Sequence, residues 1–197
     1  MLPFNVISEK KFEEYNEEEL KLGAVFLVDK PLDWTSFQVV NKLRWVIRKT
    51  FKIKKIKVGH AGTLDPLATG LLIICVGKKT KEIDTYQGKE KEYTGTITVG
   101  GTTASFDLEK EIDQNFPTEH ITEEELQAAA LKLTGEIEQY PPIFSAVKID
   151  GKRAYERARK GEEVKVKPRQ VSVSKFDIDT SEFPKVHFTI VCSKGTY

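Results

Sequence analysis

The sequence predicts an α+β domain, because capped helical patterns and strand-like runs share one chain of 197 residues. Thr35-Ser36 offers a helix start, followed by Val39, Val40, Leu43, Val46 and Ile47 at helical spacing. Thr122-Glu123-Glu124-Glu125 is a capping box for a second helix. Before, between and after them lie apolar or alternating runs at 24–28, 93–99, 164–173 and 185–192, which read as strands.

In chain order, residues 1–22 are polar and Glu-rich and read as an N-terminal extension with room for a short helix, leaving 23–197 as the domain proper. Ala24-Val25-Phe26-Leu27-Val28 is short and continuously apolar, as a buried strand is, and it ends at Asp29-Lys30-Pro31, where proline stops regular pairing. The helix begun at Thr35-Ser36 runs to about Lys49 and turns Lys42, Arg44 and Arg48 outward. Another apolar run, Leu71 to Val76, follows a Gly-rich loop. Gly77-Lys78-Lys79-Thr80-Lys81 opens a short helix whose lysines suit either phosphate contact or plain solvation. Tyr93 to Val99 alternates as a strand does. The second capped helix runs to about Thr134 and is ended by Gly135. Asp150-Gly151 is a hairpin turn, and the last strand runs into Ser193-Lys194-Gly195-Thr196-Tyr197.

Composition bounds the function classes. This length buries a real core as one large domain or two small ones. No apolar run reaches the roughly 18 residues of a membrane span, and Glu9 to Lys21 is too charged for a signal peptide. Cys75 and Cys192 sit in apolar strand-like runs, as buried thiols in a reducing cytoplasm do, and no zinc spacing, Walker string or dinucleotide-binding glycine pattern is present. The net charge is only +1, but Trp34 to Leu64 holds eight basic residues and no acid, while acids dominate from Asp107 to Glu138. That asymmetry fits a polyanion-binding face or a solvated lysine-rich helix end.

The most informative stretch is Gly59-His60-Ala61-Gly62-Thr63-Leu64-Asp65-Pro66-Leu67-Ala68-Thr69-Gly70. Its glycines permit positive φ or close backbone approach, and Pro66 biases Asp65 toward an extended conformation. It reads as a stiff loop presenting one His and one Asp. On residue types alone, an Asp before Pro in a Gly-rich turn is more often a turn residue bonding its own backbone than a nucleophile.

The whole string resembles the G-H-[AT]-G-T-L-D-P-x-A-T-G-x-L signature of the TruB family of tRNA pseudouridine synthases, which isomerise uridine 55 in the tRNA T loop. The resemblance extends from about Gly23 to Tyr197. It takes in Asp29-Lys30-Pro31 with Thr35-Ser36, the loop Gly100 to Asp107, and Gly135-Glu136-Ile137-Glu138-Gln139-Tyr140-Pro141-Pro142 with Phe144-Ser145-Ala146-Val147-Lys148. It continues through Gly151 to Gly161 and ends on Lys194-Gly195-Thr196-Tyr197. Asp33 departs from it, since many relatives have glycine there. The resemblance implies the pseudouridine synthase fold, a mixed, largely antiparallel sheet with flanking helices. It implies Asp65 as catalytic nucleophile, His60 as the side chain inserted into the T loop, Tyr93 stacked on the target base, Tyr197 as another wall of the pocket, and Asp107 as a structural residue of the rim. The basic cluster on 151–161 is expected to touch RNA or to be solvated.

Converting an N1–C1′ bond into a C5–C1′ bond oxidises and adds nothing, so no metal or cofactor is expected. A carboxylate at C1′ can attack or stabilise charge, an aromatic face suits an unstacked base, and a side chain must fill the vacancy that the flipped base leaves. The expected partner is the tRNA T stem-loop, met by a cytoplasmic monomer. Family members continue past this point with an Arg that pairs with the catalytic Asp, more catalytic domain and, in many bacteria, a small RNA-binding domain. A chain stopping at Tyr197 is therefore expected to be a fragment, with Asp65 less firmly placed and ionised. Two alternatives remain: a guide-RNA-directed synthase subunit, and a non-catalytic tRNA-folding chaperone.

Overall fold

The computed structural model describes residues 2–104, 107–141, 148–149, 152–153 and 167–197. The chain divides into two compact units, Met1–Gly88 and Lys89–Tyr197.

In the first unit, β2 (Ala24–Lys30) lies between β1 (Val6–Ile7) and β4 (Gly70–Val76), and β3 (Val58–His60) closes the other edge. All pairings of this sheet are antiparallel, with Val6 opposite Val28, Phe26 opposite Ile74 and His60 opposite Ile74. The strand period of two puts Ala24, Phe26, Val28 and Lys30 on the buried face of β2. The continuous apolar run is thus buried on alternate residues only, and Leu27 faces out. Helix α2 (Ser36–Thr50), capped by Thr35 in a capping box with Gln38, lays Val39, Val40, Leu43 and Ile47 into the same core as Phe26, Leu72 and Ile74.

The first 22 residues belong to this core. Asn16 caps α1 (Glu17–Leu22), which buries Leu20 completely. Tyr15 and Phe12 pack against Phe26, Phe12 also meets Phe51, and Phe4 meets Trp34 edge-on. The Glu-rich composition hides this, because the apolar anchors are sparse and spaced irregularly. A 3-10 helix, Gly77–Glu82, and α3 (Ile83–Gln87) complete the unit.

The second unit is built on an antiparallel sheet ordered β5 (Lys91–Thr98), β12 (Lys185–Cys192), β11 (Arg169–Glu182), β8 (Gly135–Gln139). Gly95 on β5 lies under the ring of Phe188 on β12, where an added Cβ would come 2.6 Å from Cζ. A small pair, β6 (Gly101–Thr102) with β7 (Gln114–Asn115), leads to α4 (Glu123–Lys132), whose Ala130 is buried. Strands β9 (Lys148–Ile149) and β10 (Lys152–Arg153) pair with Lys152 opposite Ile149, as a hairpin about Asp150-Gly151 requires. Those two turn residues, Phe144-Ser145-Ala146-Val147, the basic string from Ala154 to Gly161 and the start of the expected strand at Val164 lie outside the described residues.

Candidate active site

The loop from His60 to Gly70 connects β3 and β4. The ladder runs one step into it, where the Ala61 amide donates to the Ile73 carbonyl at 2.8 Å. His60 ends the strand, half-buried, with Nδ1 2.5 Å from the Gly62 carbonyl oxygen. A carbonyl can only accept, so Nδ1 carries the proton, and in the neutral ring Nε2 remains an acceptor. Gly62 has φ 107°, in the region that favours glycine.

Asp65 is exposed, and the backbone on either side of it is clamped. On one side, the buried Ser36 hydroxyl accepts from the Leu64 amide at 2.9 Å and donates to the Leu64 carbonyl at 3.0 Å. On the other, the Pro66 carbonyl accepts from the Asp33 amide at 2.9 Å and from Lys30 Nζ at 3.2 Å. Between the clamps the Ala68 amide donates to the Asp65 carbonyl at 3.1 Å, closing a tight turn. The loop backbone on both sides of Asp65 is thus fixed by residues of the first unit.

Lys30 is fully buried and gives its three protons to Pro31 at 2.8 Å, Trp34 at 2.6 Å and Pro66. Burial pushes its ammonium below the usual lysine range, and the Asp33 and Asp65 carboxylates pull it partly back. Asp33 sits at φ 63°, in the left-handed region that aspartate tolerates better than most residues.

Tyr93 and Tyr197 belong to the second unit, whereas His60 and Asp65 share one loop of the first. Tyr93 stands on β5 opposite Ile190, and its ring is partly exposed. Tyr197 is held through its backbone, since its amide donates to Gln139 Oε1 at 2.9 Å and its carbonyl accepts from Gln139 Nε2 at 2.6 Å, leaving the ring 51% exposed. Asp107 accepts from the Glu109 amide at 3.0 Å through its carboxylate, and its carbonyl accepts from Thr103, so it orders its own turn. Sequence reasoning placed Ser36 only at a helix start and assigned no role to Lys30 or Gln139. The signal that could have found them was a lysine at a buried parity of β2 and the recurrence of the Lys-Pro, Thr-Ser and Gln-containing strings in the resemblance.

The family model for TruB family pseudouridylate synthases (N terminal domain) matches residues 48–197. This chain belongs to the TruB family. Two similar relatives are proteins named tRNA pseudouridine synthase B. That of Flavobacterium johnsoniae is 56% identical over 91% of this chain and 79% of its own length. That of Phocaeicola vulgatus is 55% identical over 90% and 75%. Among solved structures, the crystal structure of a Cbf5-Nop10-Gar1 complex matches all of this chain with TM-score 0.60 at 24% identity. An H/ACA RNP bound to a substrate RNA containing 2′-deoxyuridine matches with TM-score 0.58 at 22%. At these identities the likeness establishes the α+β pseudouridine synthase fold. The TruB chain described here spans about half of those chains, 50% and 49%.

Proposed function

We propose that this TruB chain is an isomerase forming pseudouridine in tRNA, at uridine 55 of the T loop, with Asp65 as nucleophile. The observation that carries the reading is the double clamp that holds Asp65 between Ser36–Leu64 and Lys30–Pro66 while its side chain stays exposed. Family membership and relatives named tRNA pseudouridine synthase B support the substrate class. The buried free thiols Cys75 and Cys192 fit a reducing cytoplasm, where the chain is read as acting as a monomer.

In this reading the Asp65 carboxylate attacks C1′ as the N1–C1′ electron pair leaves with the uracil. The freed base turns so that C5 faces C1′, and C5 attacks as the carboxylate departs. The C5 proton is lost and N1 takes one up, so the sum is an isomerisation. Tyr93 and Tyr197 pack the flipped base, and His60, its ring oriented by the Gly62 carbonyl, fills the space that the base vacates.

The test is tritium release from a T-arm hairpin carrying uridine tritiated at C5. Wild type should release it without guide RNA, and Asp65→Asn should bind the hairpin equally well and release none. Release that requires an added guide RNA would favour the guided-subunit reading. Binding and assisted tRNA folding without release in wild type would favour the chaperone.

A further inference from the structure

The last turns of α2 and the residues after it form a basic surface that the loop chemistry does not use. Trp45 is 52% exposed, with Lys42 Nζ 5.2 Å and Lys49 Nζ 4.9 Å from its ring centroid. Cation–π attraction therefore holds two ammonium groups beside one indole. Trp45, Arg48, Lys49, Lys52, Ile53 and Lys54 line a shallow depression of about 470 Å³. Among the described residues none of its cations forms an ion pair, and no acid occurs between Trp34 and Leu64.

Helix electrostatics account for part of this, since cations are favoured in a last turn. They do not account for Lys52. Phe51 is the C-cap of α2, so Lys52 holds the next position, with φ 55°. Glycine is the usual residue there because a side chain in the left-handed region is strained. A lysine in that strained conformation, on the rim of a cationic depression with no ion pair among the described residues, points to an anion that it meets.

We propose that this depression binds the phosphate backbone of the substrate RNA, as a contact separate from the Asp65 loop. The inference rests on the reading of the chain as an RNA-modifying enzyme. Lys49 lies thirteen residues after Ser36, which is about 20 Å along the helix. The depression therefore meets a part of the RNA several nucleotides from the base under attack.

Two variants of the full chain test it, Lys52→Gly and Arg48→Gln/Lys49→Gln/Lys52→Gly, with tRNA affinity measured against salt. Lys52→Gly should raise Tm while weakening tRNA binding, a combination that a merely structural residue would not give. In the triple variant the slope of log K against log salt should shrink by about 0.7–0.9 for each phosphate no longer neutralised, with KM raised roughly tenfold and kcat unchanged. An unchanged affinity and slope overturns the proposal, as does binding to phosphatidylglycerol vesicles that depends on these residues while RNA affinity does not. Failure of wild type to release tritium, with the salt slope still reduced in the triple variant, removes the catalytic reading and leaves this RNA interaction standing. Release with an unaltered slope does the reverse.

Discussion

Ser36 and Leu64, twenty-eight positions apart, are joined by two hydrogen bonds through one hydroxyl, which accepts from the Leu64 amide and donates to its carbonyl. The first turn of α2 is thereby locked to the residue before Asp65. Removing the hydroxyl in Ser36→Ala leaves both backbone groups without this partner, at about 1–3 kcal/mol. Urea unfolding should show that loss. Pseudouridine formation should lose kcat while RNA affinity holds, and an unchanged kcat would refute the positioning role.

Lys30→Met should be costlier. It strips three carbonyls of a charged donor, for about 2–4 kcal/mol. The pH dependence has a definite sign. Burial lowers the folded-state pKa of Lys30 below the ordinary lysine value of 10.5, so the native chain gives up this proton before the unfolded chain does. In the window between the lowered pKa and 10.5 the unfolded state binds more protons, and stability rises with pH. Urea midpoints taken across that alkaline window should show wild type gaining on Lys30→Met. A constant difference would mean that the shift is absent.

Gln139 imitates a strand neighbour for Tyr197, offering one acceptor and one donor to its backbone. Gln139→Leu should speed amide exchange at Tyr197, consistent with the loss of about 0.5–1.5 kcal/mol per bond. Gln139→Glu keeps the acceptor and loses the donor, so its Tyr197 amide should stay closer to wild type. Equal exchange in all three proteins would rule out the pairing.

Gly95→Ala places a methyl group against the Phe188 ring at 2.6 Å, a clash that costs about 1–3 kcal/mol. Adding Phe188→Leu should recover part of that loss, so thermal denaturation of both singles and the double should be non-additive.

Much of this architecture is legible in the sequence where local pattern coincides with tertiary demand. The cap and apolar spacing of α2 locate Ser36–Thr50, and the last strand stands at Lys185–Cys192. What escapes is set by distance. Lys30 looks like the polar end of an apolar run, and only the chain brought back at Pro66 reveals why a lysine is buried there. Asp33 departs from the family resemblance, and only its φ of 63° shows that the position lies in the left-handed region. In the candidate site the Gly59–Gly70 string announces the loop, but the side chains that hold the loop in place lie far from it in sequence. Phe12, Tyr15 and Leu20 are concealed by the glutamates around them.

The β1 strand, only two residues long, is what stands at the rim of the first sheet beside the seven-residue β2. Unpaired backbone along a strand as long as β2 is an invitation for another chain to zip onto it. The opening residues cover Leu27 and Val28 of that row, and the Asn5 carbonyl accepts from the Asp29 amide, so they shorten the stretch of backbone left open there. Trimming them as though they were a dispensable tail would leave a protein prone to clump.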